Sequence, residues 1–146
     1  MADEMHLLRQ IIENPASRLH KLEFKRLSRP EQVLLSIWEL EAEVSNGGFT
    51  QYFESPAADN ARHVTYGLDA IGALRLHKLV EQAIELVGDD VLEENEEERT
   101  DRLEGLSEKK RSKLEKLEQQ FLASPEDINA LLYEYVQKHK ASIPGA

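Results

Sequence analysis

The sequence predicts an all-α fold, a single compact domain of six to eight helices with no sheet. Three observations carry that expectation. Apolar residues recur at three- and four-residue spacing along most of the chain, and no segment sustains the two-residue alternation of a strand. Helix-starting residues stand in order at Ser28, Pro30 and Glu31, and again at Ser124 and Pro125. Glycines fall where the helical pattern stops, at Gly47, Gly48, Gly72 and Gly88.

Taken in order, "DEMHLLRQIIEN" reads as a helix running up to Pro15, within an N-terminal extension over residues 1–26. The main domain is expected over 27–140, with a tail at 141–146. In "LSRPEQVLLSIWELEAEVSNGG", Ser28 is the N-cap, Pro30 lies in the first turn and Glu31 completes a capping box. Val33, Ile37, Leu40 and Val44 form the buried stripe, broadened by Leu34 and Trp38. The Asn46-Gly47 pair suits the left-handed position that closes a helix, so Gly47 is expected at positive φ. A short helix beginning at Gly48 then lays Phe49, Tyr52 and Phe53 into the core, while Gln51 offers a polar group at the corner. "RHVTYGLDAIGA" and "LRLHKLVEQAIELVG" read as two helices, broken near Gly72 and ended by Gly88. "SEKKRSKLEKLEQQFLA" is a helix with Leu114, Leu117, Phe121 and Leu122 inward. The last helix is expected to be capped by Ser124, with Pro125 first and Ile128, Leu131, Leu132, Tyr135 and Val136 following. Trp38, Phe49, Phe53, Ile71, Leu117 and Phe121 should meet in one core. Heptads do not persist from Leu103 to Phe121, which argues against a long coiled coil.

Composition narrows the class. A chain of 146 residues suits one core, and 40% hydrophobic with 32% charged residues fits neither a disordered nor a membrane protein. No apolar run approaches the roughly 18 residues of a spanning helix, and the charged N-terminal stretch is not expected to act as a secretory signal. There is no cysteine, which excludes disulfides and thiol chemistry; a cytoplasmic location is expected.

Familiar chemistries find little support. Gly47-Gly48 follows no strand and lacks the spacing of phosphate-binding loops, so it reads as a hinge. The five histidines form neither HExxH nor Glu-x-x-His; His77 and Glu81 share a helix face, which suits an ion pair better than a metal. Without cysteine or a GxSxG elbow, nucleophilic catalysis has no signature. The expectation is a protein with no cofactor and no metal, and not an enzyme.

Charge is the distinctive feature. The formal net charge is −10, and residues 81–104 hold eleven acids against two arginines, a net of −9. Glu81, Glu85, Asp89, Glu93, Glu97 and Asp101 are spaced by four, with Asp90 and Glu94 beside them. On a helix each like-charged neighbour costs roughly 0.2–0.5 kcal/mol, although Gly88 divides the ladder into two short rows. Arg102 with Glu98 and Arg99 with Glu96 are the expected offsets. A solvated loop is the plain reading. The functional one is a row of carboxylates spaced like backbone phosphates and offered to a basic groove, since duplex DNA carries one charge per roughly 1.7 Å. So acidic a segment repels nucleic acid itself.

The run from Leu34 to Ala73, with Asn46, Gly47, Gly48, Phe49, Gln51, Tyr52 and Phe53 at its centre, resembles the bacterial domain-of-unknown-function family 4375. The downstream run from Arg102 to Val136 is similar to that family's closing helices. The resemblance implies an all-helical fold, no established enzyme activity, and kinship with a DNA-mimic protein that acts as a dimer on a transcription regulator. Three classes stay open. The first is an interaction protein whose acidic face (Glu81, Glu85, Asp89, Asp90, Glu93, Glu94, Glu97, Asp101) binds a basic DNA-binding protein or transcription regulator, with a homodimer allowed. The second is a regulatory adaptor using the aromatic corner for a protein or small ligand. The third is an enzyme with an unrecognised carboxylate site.

Overall fold

One long helix organises the rest. In the computed structural model, which describes residues 2–145, α3 (Arg29–Glu54) runs through the centre, and α4 (Ala61–Ala70), α6 (Glu96–Glu104) and α7 (Glu108–Leu122) pack against it. Its start follows from the sequence. The Ser28 hydroxyl accepts the Glu31 N–H at 3.2 Å, and the Glu31 carboxylate accepts the Ser28 N–H at 2.9 Å. This box is worth about 1 kcal/mol. Glu31 is nearly inaccessible, and Arg18 meets its carboxylate at 3.0 Å, so the buried charge is paired.

The remaining elements wrap that helix. α1 (Ala2–Glu13) lies against α8 (Ile128–Lys138) after the single turn α2 (Arg18–Lys21). α4 and α5 (Leu74–Val87) form a hairpin across Gly72, and α5 lies beside α7. No strand is present among the described residues; the architecture is all-α, with seven helices of nine residues or more besides the single turn α2. Phe49, Phe53, Ile71 and Phe121 are buried in one core, while Trp38 and Leu117 are half-buried at its edge.

Two boundary expectations need correction. Leu122 points outward, 56% exposed, because Phe121 and Leu114 already fill the inward face of α7. The last helix is capped by Asp127, whose carboxylate accepts the Ala130 N–H at 3.1 Å, and it begins at Ile128 instead of Pro125. Glu126 explains the delay. Its carboxylate accepts the N–H groups of Leu76 at 2.8 Å and Arg75 at 3.1 Å, capping α5, whose own N-cap Ala73 has no side-chain acceptor.

Candidate functional site

The corner in α3 is a real break. Gly47 (φ −155°, ψ 18°) and Gly48 (φ 79°, ψ −171°) depart from helical geometry, and Phe49, Tyr52 and Phe53 behind them are fully buried. The residue at positive φ is Gly48, a correction to the expectation for Gly47. The reason lies in another helix. A Cβ on Gly48 would stand 1.1 Å from a carboxylate oxygen of Glu118 on α7, and that carboxylate accepts the Phe49 N–H at the start of the second limb. Burial pushes the Glu118 carboxyl up, and the Phe49 bond partly offsets the rise. Gln51 reaches back across the break and donates to Glu43 on the first limb at 2.8 Å, lying over Gly47, where a Cβ would meet its side chain. Asn46 is exposed. The corner is thus a joint made of core aromatics, with Phe49 edge-on to Phe121 of α7 at 5.7 Å. The Tyr52 hydroxyl is buried with no hydrogen-bond partner among the described residues, and burial, then the neighbouring Glu39, pushes its pKa far up.

The acidic segment is folded, and its two arginines do not serve the carboxylates expected for them. Arg99 is fully buried. Its guanidinium donates to the carbonyls of Phe53 at 2.8 Å, Ser55 at 3.0 Å and Glu94 at 2.7 Å, and meets Asp59 at 2.8 Å. It therefore closes the C-terminus of α3, satisfying carbonyls that have no partner within the helix. Arg102 makes a two-pronged pair with Glu94, both bonds 2.7 Å, and donates to the Val87 carbonyl at the end of α5 at 3.2 Å. That pairing holds the Glu94 carboxyl below its usual range. Glu98 belongs to a capping box with Asn95, bonded at 3.0 and 2.8 Å.

The carboxylates named from the sequence then separate into groups. Glu81 and Glu85 lie on α5, and Glu81 pairs with His77 at 3.0 Å. Asp89, Asp90 and Glu93 lie on a 3-10 turn that follows Gly88, where Glu93 meets Arg62. Glu97 and Asp101 are on α6. All of these are exposed; Glu94 alone is turned inward onto Arg102. Glu81, Glu85 and Asp89 border one open cleft of about 340 Å³ together with Thr65, Ile84 and Leu92. No group of three or more acidic or histidine side chains among the described residues is placed to hold a metal ion. No helix among the described residues is long and apolar enough to cross a membrane.

No curated protein and no solved structure matches the chain. One family model does, described as DMP19-like protein, and it spans residues 25–139. That span takes in the central helix, its glycine corner, both arginines and the whole acidic segment, and so the chain belongs to the DMP19-like protein family.

Proposed function

We propose that the protein is a non-enzymatic interaction protein whose acidic face occupies the basic, DNA-contacting surface of a DNA-binding protein. The observation that carries this reading is the inward placement of both arginines of the segment. With Arg99 and Arg102 spent on backbone carbonyls and on Glu94, the outward face keeps Glu81, Glu85, Asp89, Asp90, Glu97 and Asp101, all exposed. Among the described residues, Arg62 pairs with Glu93 and His77 with Glu81 on that face, and Arg102 approaches Asp90 at 3.9 Å. Opposed to a lysine- and arginine-rich groove, such a surface replaces phosphates as the counter-charge. Membership of the DMP19-like family and the resemblance of the corner motif to a family with a DNA-mimic member support the same reading. A transcription regulator is the partner class, and a two-fold regulator would match a homodimer of this chain.

The burial of Phe49, Tyr52 and Phe53 weighs against the adaptor reading, because a ligand would have to open the core to touch them.

The test begins with a partner captured from lysate on the immobilised protein. Its affinity should fall steeply between about 50 and 200 mM salt, and duplex DNA should compete for it. The variant Asp89→Asn/Glu97→Gln/Asp101→Asn removes charge and spares Glu93, Glu94 and Glu98, which have structural partners. It should bind at least about tenfold more weakly with its folding unchanged. Binding that ignores both salt and this triple neutralisation would reject the proposal.

A further inference from the structure

A second surface carries the opposite sign. Between α5 and α7 runs an open groove of about 630 Å³. Leu86 and Leu117, both half-buried, give it an apolar floor, while Lys110, Lys113 and Lys116 line the α7 side and Glu85 the α5 side. All three lysines are exposed, and none makes an ion pair among the described residues. Arg18, Lys25, Arg62, Arg99 and Arg102 each find a carboxylate, whereas these three lysines face the groove without one. The spacing explains it: no acid stands three or four residues before or after any of the three lysines. They stand three apart from one another instead, and each like-charged neighbour weakens an isolated helix slightly.

We propose that this groove binds an amphipathic, acidic helix from a partner protein. The apolar floor calls for aliphatic side chains at helical spacing, and the lysine wall calls for carboxylates beside them. Lys110 to Lys116 span six residues, about 9 Å along the helix axis. A partner helix laid along α7 with acids at i, i+3 or i+4, and i+7 spans about the same distance, so each acid meets a lysine. Laid between α5 and α7, such a helix would complete a three-helix layer. Nucleic acid fits less well, because Glu85 faces the lysines across the groove and the neighbouring residues 81–104 carry a net charge of −9. The groove therefore selects an acidic partner while the adjoining face selects a basic one. The proposal stands independently of the function proposed above.

The test uses the full chain and a fluorescein-labelled model peptide of about 18 residues, with leucines on one helical face and glutamates flanking them. A scrambled peptide of the same composition and a short DNA duplex serve as comparisons. Fluorescence anisotropy should show saturable binding of the amphipathic peptide only. Lys110→Gln/Lys113→Gln/Lys116→Gln should weaken that binding about tenfold, the sum expected of three exposed ion pairs. The amide resonances that move should belong to residues 82–86 and 110–120, while those of α6 stay in place. Equal binding of the scrambled peptide, indifference to the triple substitution, or shifts centred on α6 would overturn the proposal. Preferential binding of the duplex would also overturn it, and would assign the lysines to nucleic acid.

Discussion

At the α3 corner carboxylates are drawn inward, whereas in the segment from Glu81 to Glu104 arginines are drawn inward and carboxylates are left outside. Glu118 lies against Gly48 and the Phe49 amide, and half-buried Glu39 shares its surroundings with Glu43. Burial pushes both carboxyls up, whereas Arg102 holds Glu94 down. The same side-chain chemistry thus titrates in opposite directions according to what the fold puts beside it. The comparison also shows that charge counted along the chain misreports charge at the surface. The segment's two positive residues are structural, and the positive charge a partner meets beside the carboxylates there includes Arg62, from another element.

The sharpest way to break this contrast is to remove Arg99. Arg99→Leu leaves the carbonyls of Phe53, Ser55 and Glu94 without their donor, at about 1–3 kcal/mol for each group that stays buried. Urea unfolding should show a loss of about 3 kcal/mol or more. Arg99→Lys should recover little, since an ammonium cannot reach three carbonyls in the plane of a guanidinium. Full rescue by lysine would mean that charge toward Asp59, and not the carbonyl geometry, is what counts.

Next in size is the corner. Gly48→Ala forces a side chain into backbone space that is essentially glycine-only and displaces the Glu118 carboxylate, so a loss of about 2 kcal/mol is expected. Gly47→Ala should cost less, about 1 kcal/mol, because its φ is negative, outside the left-handed region, although the new Cβ would stand 2.8 Å from the Gln51 Cβ and that residue must shift. A larger effect at Gly47 than at Gly48 would reverse the assignment of the joint.

Smaller effects appear in the pH dependence. The Glu94 carboxyl is depressed from its usual 4.5, so its contribution is present above that value and is lost as pH falls through its folded pKa. The carboxyls of Glu39 and Glu118 are raised from 4.5, so theirs is complete below that value and is lost as pH rises through their folded pKa values. Glu94→Gln should therefore flatten the acid side of the stability profile, and Glu118→Gln should remove a decline on the side above 4.5. Profiles unchanged by both substitutions would erase the distinction between the two regions.

The smallest change is expected at Tyr52. Tyr52→Phe deletes a buried hydroxyl that bonds to nothing described, so stability should shift by under about 0.5 kcal/mol, in either direction. A loss above about 1 kcal/mol would reveal a partner for that hydroxyl.

What the sequence makes legible is local. The Ser28–Glu31 box, the break at the two glycines and the inward set Phe49, Tyr52 and Phe53 each depend on residues within about one helical turn, where spacing determines geometry. The misread features depend on distant partners. Arg99 finds its carbonyls 44 and 46 positions back in the chain, and Glu126 finds its amides 50 and 51 positions back. Choosing between Gly47 and Gly48 required knowing where Glu118 of α7 comes to rest. The lysine row is visible in the sequence as three unpaired positions, but its opposite wall, from α5, is not.

The close reversal from α6 into α7 has one more consequence. Ser107 caps α7 at 3.2 Å, and Arg111 folds back onto the α6 carbonyls of Leu103 and Glu104, so an acid-rich helix and a lysine-rich one are clamped end to end. Negative and positive charge then occupy fixed, separate positions, and the molecule carries a permanent electric dipole moment besides its net charge. In the field of an approaching charged body it experiences a torque as well as a pull, and it turns to present one face before contact is made.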